Sequence, residues 1–140
     1  MYVAEHGPTC FAEYFQETRV INRILDIPHL VAFETVAALS LLDLSRNWAT
    51  LAGGSQEIAT GRKSLARQWS QRIYVAFPDI HGIYYPSKML GGTHSIALYE
   101  RAYASVPATH AFLHPLSSNK PTMLRALADA GDQTGYEISP

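Results

Sequence analysis

The chain has 140 residues, 47% apolar and 16% charged, which is enough for one domain with a real core and leaves no room for two. Its 11 Lys and Arg against 12 Asp and Glu give a formal charge of -1, so no overall field draws in nucleic acid or an anionic membrane. The lone Cys10 cannot close an internal disulfide, no apolar run approaches the roughly 18 residues that span a bilayer, and neither a basic nor an apolar leader region follows Met1. A soluble, cytoplasmic protein is expected.

Met1 to Ala4 predicts a strand with Tyr2 and Val3 as core residues at the very terminus, where a domain normally has some polar lead-in; the expectation is a chain lacking its natural front end. His6, Gly7 and Pro8 make a turn. Pro8 or Thr9 opens a helix, since proline fits the first turn and Thr9 can cap. Phe11, Tyr14 and Phe15 fall on one face of it, and Glu13 points to a flank, where it is either a solvated carboxylate or available to a site. Cys10, at the helix start, fits a small buried thiol better than an activated one.

Thr18 to Ile27, stopped by Pro28, predicts an irregular crossing or a short helix, and His29 to Val36 and Leu39 to Leu44 predict two strands. Asp43 and Ser45 before Trp48 suggest a capped helical turn, and Leu51 to Gly61, with its glycines and no periodicity, a surface loop. The clearest helix runs from Ser64 to Phe77. Leu65, Trp69, Ile73 and Phe77 recur at every fourth position, Val75 and Ala76 widen the stripe, and Arg62, Lys63, Arg67 and Arg72 form a solvated outer face.

Ile83 to Tyr85, stopped by Pro86, and Ser95 to Tyr99 predict two strands around the glycines Gly91 and Gly92. Ser87 and Lys88 thus sit where a strand ends and a loop begins, a place where rigid elements present polar groups to ligands as well as where ordinary turns occur. A short helix to Ala104, a loop from Ser105 to Pro121 and a last helix from Thr122 to Ala130 capped by Gly131 complete the chain. Helices alternate with short strands in no regular βαβ series, so an α+β fold with short mixed and antiparallel strands is expected.

Familiar sites are absent from the pattern. There is no glycine-rich dinucleotide fingerprint and no P-loop. His110 and His114 are four apart, but Pro115 and the lack of an HExxH carboxylate leave no zinc expected. Ser87 lies in Tyr-Pro-Ser-Lys and not in a Gly-x-Ser-x-Gly elbow.

Tyr2-Val3-Ala4, Thr9 to Glu13, Leu41 to Leu44, Gly82 to Ser87 and Ile96 to Tyr99, in this order and at these distances, resemble the RES domain, named for an Arg, a Glu and a Ser. The resemblance covers nearly the whole chain. It implies an ADP-ribosyltransferase-like fold and a toxin of a bacterial toxin–antitoxin pair that cleaves NAD, with a cognate antitoxin as partner and no metal. Glu13 and Ser87 match the catalytic Glu and Ser, Tyr2 an aromatic of the NAD pocket, and Tyr84 and Lys88 are expected to bind NAD beside them. The family Arg precedes the Tyr-x-Ala strand, and no residue here is matched to it; Arg19, Arg23 and Arg67 follow that strand. Residues 1–140 are therefore expected to be one RES-like domain without its N-terminal segment, either an NAD-consuming enzyme or, alternatively, a catalytically silent module that binds a protein.

Overall fold

The computed structural model describes residues 1–55 and 62–140. In chain order it contains β1 (Tyr2–Ala4), α1 (Gly7–Tyr14), β2 (Val20–Asn22), β3 (His29–Ala32), β4 (Leu41–Asp43), α2 (Trp48–Leu51) and α3 (Lys63–Ala76). Then come β5 (Gly82–Pro86), β6 (His94–Leu98), a 3-10 helix at Glu100–Ser105, β7 (Phe112–Pro115), α4 (Pro121–Thr134) and β8 (Glu137–Ser139). The fold is α+β, as the interleaved pattern predicts.

The sheet that carries the site has the order β1-β6-β5-β4, antiparallel except for the β5/β4 pair. Side chains alternate along each strand, so Ile83 and Tyr85 share one face with their cross-strand partners Ala97 and Ser95. On that face Leu42, Ile83 and Tyr85 pack with Trp69 around the buried Leu44, Ala49 and Ile73, which is how α3 covers the sheet. Only the middle of the predicted α3 stripe is buried. Leu65 and Phe77 are partly exposed at its ends, because a strict fourfold spacing drifts around a helix of 3.6 residues per turn, and Val75, two residues from Ile73 and so on the opposite side of the helix, is 78% exposed. Arg101 fastens the end of α3: its guanidinium donates to the carbonyls of Tyr74, Phe77 and Pro78 and lies 3.8 Å from the Tyr74 ring centroid.

Gly82 is required by this sheet. A Cβ there would collide with the carbonyl oxygen of Ala97 and lie 3.1 Å from the Leu98 Cα, both of them backbone atoms that cannot turn aside. Gly82→Ala is expected to cost about 1–3 kcal/mol by forcing β5 and β6 apart, read as a lowered urea midpoint. An unchanged midpoint would show that the pairing is looser than the register implies.

The second core lies between α1 and α4, where Phe11 and Ile21 meet Leu116, Met123, Leu127, Ala130 and Tyr136. Several sequence expectations change here. Thr18 to Ile27 contains strand β2, paired in parallel with β8, a C-terminal strand too short to show a period of its own. Arg19, Asp26 and Ile27 take positive φ, which breaks any helix through this segment. The expected loop from Ser105 to Pro121 contains β7, and β3 ends at Ala32 instead of Val36, where its register with β7 ends. The last helix runs past Gly131 to Thr134 and is ended by Gly135 at φ 69°, the left-handed conformation a C-terminal glycine supplies. Gly131 is instead a site of close approach, since a Cβ there would stand 3.2 Å from the Ile138 side chain on β8.

Leu39 to Leu44 forms only the three residues of β4, and Asp43 caps a turn before α2 without capping the helix itself. Its Oδ1 accepts the Ser45 amide at 2.8 Å and hydroxyl at 2.5 Å. The Ser45 hydroxyl is the main cause of a lowered Asp43 pKa. Of the loop expected from Leu51 to Gly61, residues 56–61 lie outside the described residues.

Candidate active site

Helix α1 starts at the Gly7-Pro8 turn with no side-chain cap. Thr9 does not cap it: Thr9 is completely buried inside the helix and its hydroxyl finds no partner among the described residues. Phe11 and Ala12 face the core, Tyr14 turns outward at 68% exposure, and Glu13 stands between these faces in the last turn. Cys10 is half-buried, and desolvation, the largest cause, raises its thiol pKa; a fully activated thiol is not found at this helix start.

From the other side of the site, β5 ends at Pro86 and hands the chain to a tight loop. The Ser87 amide donates to the Thr93 carbonyl at 2.9 Å, and the Ser87 hydroxyl oxygen accepts the amides of Met89 at 3.2 Å and Leu90 at 3.1 Å. With its acceptor capacity used within the loop, that hydroxyl donates to Glu13 Oε1 at 2.6 Å. The Lys88 amide donates to the same oxygen at 3.2 Å. Two residues 74 apart in sequence are thus held in a short, charge-assisted bond. Among the described residues no group bonds Glu13 Oε2, which leaves that oxygen for a ligand.

Glu13 opens onto a cleft of about 1370 Å³ whose lining also includes Tyr2, Tyr85, Ser95, Ala97 and Lys88. Tyr2 is no core residue: it is 77% exposed at the mouth. Ser87 is buried beneath Glu13 and does not line the cleft.

Tyr84 is not in the site either. It points to the opposite face of the sheet, stacks on His94 with ring centroids 4.6 Å apart and donates to Glu5 Oε2 at 2.9 Å. Its neighbour Tyr85 takes the cleft face instead. The sequence contains the signal for this, because strand alternation places Tyr85 on the same side as Ser87, two residues on. Arg23 is committed to the fold, its guanidinium donating to the carbonyls of Leu116 and Ser118 and to the Asn119 side chain. Arg67, on α3, reaches the cleft wall.

A carboxylate on a helix and a serine that fixes it from a strand end meet beside a cleft, and they are the two residues that the resemblance matches to the RES Glu and Ser. Residues 1–117 match the RES domain model, and the chain belongs to the RES domain family. That family is associated with NAD and with toxin–antitoxin pairs. Comparisons with curated proteins and with solved structures return no match. The match stops before α4 and β8, yet α4 supplies the core against which α1 and its Glu13 are seated. Among the described residues no group of His, Cys, Asp and Glu could hold a metal ion, and no helix is long and apolar enough to cross a membrane.

Proposed function

We propose that this chain is the toxin of a cytoplasmic toxin–antitoxin pair and consumes NAD by breaking the bond between nicotinamide and ribose, with the chemistry and fold kinship of ADP-ribosyltransferases. The observation that carries the proposal is the 2.6 Å bond from the Ser87 hydroxyl to Glu13 at the edge of the cleft. In NAD the nicotinamide nitrogen is already cationic and departs as a neutral base, so the departing group needs no general acid. The reaction needs a fixed negative charge where positive charge develops on the ribose carbon.

Glu13 supplies that charge, and its Oε2 accepts a ribose hydroxyl. Ser87 is a positioning residue: its hydroxyl donates its hydrogen bond to Glu13, so it holds the carboxylate in place and leaves substrate contacts to others. Tyr2 stacks on a ring of NAD at the mouth of the cleft, and Lys88 places its amide on Glu13 and its cationic side chain near the diphosphate. The departing nicotinamide leaves an ADP-ribosyl cation, which water, inorganic phosphate or a protein nucleophile captures with loss of its proton. Nicotinamide release from NAD by the purified chain, with and without inorganic phosphate, is the test. Release is expected, and its phosphate dependence names the acceptor; a folded chain that releases none overturns the proposal.

An unrestrained NAD consumer poisons its host, so we also propose a cognate antitoxin that covers the cleft. Co-expression with the neighbouring gene is expected to yield a complex that releases no nicotinamide. Recovery of the chain alone and fully active from that co-expression would count against the partner.

A further inference from the structure

Strand β5 carries two consecutive tyrosines and sends them to opposite sides of the sheet. Tyr84 is satisfied on the outer side by Glu5 and His94. Tyr85 lines the cleft with Glu13 and Tyr2, and its register partner across the strand pair is Ser95. Ser95 is 4% exposed and lines the same cleft. The Tyr85 and Ser95 side chains therefore stand side by side on one wall of the cleft that Glu13 also lines.

We propose that Tyr85 is a substrate-binding residue of this cleft, its hydroxyl donating a hydrogen bond to the ribose hydroxyl adjacent to the one held by Glu13. The inference rests on the NAD-cleaving function proposed above and goes beyond it by assigning the second contact to the ribose. A carboxylate can only accept, whereas the two neighbouring hydroxyls of a ribose offer both donors and acceptors. Glu13 takes the proton of one, and the other is left to accept. A neutral donor beside the carboxylate completes the pair, and Tyr85 is such a donor at every physiological pH. Burial pushes its pKa up to about 12, Glu13 and Tyr2 adding to the rise and the neighbouring Ser95 hydroxyl opposing it.

The test is Tyr85→Phe, which removes one oxygen and keeps the ring that packs beside Trp69 and Ile83. Nicotinamide release is measured on NAD and on two NAD analogues, each lacking one hydroxyl of the nicotinamide ribose. For NAD the variant's kcat/KM is expected to fall on the order of tenfold, the size of one lost hydrogen bond. On the analogue missing the hydroxyl that Tyr85 binds, wild type and variant are expected to react equally. Tyr84→Phe, on the outer face, is expected to cleave NAD at the wild-type rate. An unchanged kcat/KM in Tyr85→Phe overturns the assignment while the proposed function stands. So does an equal loss on all three substrates, or a variant that fails to fold, since either would make the hydroxyl structural. A wild-type chain that cleaves none of them overturns the proposed function itself and this assignment with it.

Discussion

Glu13→Gln is expected to lower nicotinamide release from NAD by on the order of 100-fold or more, the usual cost of removing one preorganised charge from a transition state. The substitution isolates charge from shape. Gln offers a carbonyl oxygen where Oε1 now accepts the Ser87 hydroxyl at 2.6 Å and the Lys88 amide at 3.2 Å, so the loop from Ser87 to Thr93 keeps its anchor on α1. What it loses is the negative charge facing the ribose carbon. The rate of release, followed beside the wild-type chain with circular dichroism to show an intact fold, measures the effect. A variant that retains most of the wild-type rate would remove Glu13 from the chemistry and leave its bond to Ser87 a structural one.

Phe11→Ala is expected to destabilise the chain by about 3–5 kcal/mol, as large aromatic deletions in cores do. Phe11 is 3% exposed and lies in the cluster with Met123, Leu127 and Ala130 of α4 and with Tyr136. Against the roughly 5–15 kcal/mol that separates folded from unfolded domains, that is a large share. The loss reaches the site as well, since Glu13 follows Phe11 by two residues on the same short helix, and Tyr136 bonds the Ala12 carbonyl at 3.3 Å. The urea midpoint and the rate of nicotinamide release should fall together. A shift below about 1 kcal/mol would mean that α1 is held by something other than its seat on α4.

The candidate site was legible in the sequence as residue types in order, and less so as directions. Glu13 in a helix and Ser87 where a strand stops both stand where the pattern places them, because a helix period and a Pro86 strand end are local signals. Tyr84 was misplaced for a local reason too: two adjacent tyrosines on a strand face opposite ways, and only the position of Ser87 says which one turns to the cleft.

The sequence by itself determined the α+β class, the α3 stripe through Trp69 and Ile73, and the candidate pair Glu13 and Ser87, since these follow from periodicity, from chain-breaking residues and from the resemblance those motifs carry. Only the tertiary structure decided that β2 pairs with β8, that the last helix runs past Gly131 to Thr134, and that Glu13 and Ser87 touch across 74 residues. Three-residue strands have no stability or period of their own, a glycine is read as a cap or as a close approach only by what stands beside it, and a hydrogen bond between distant residues exists only once packing has closed the chain between them.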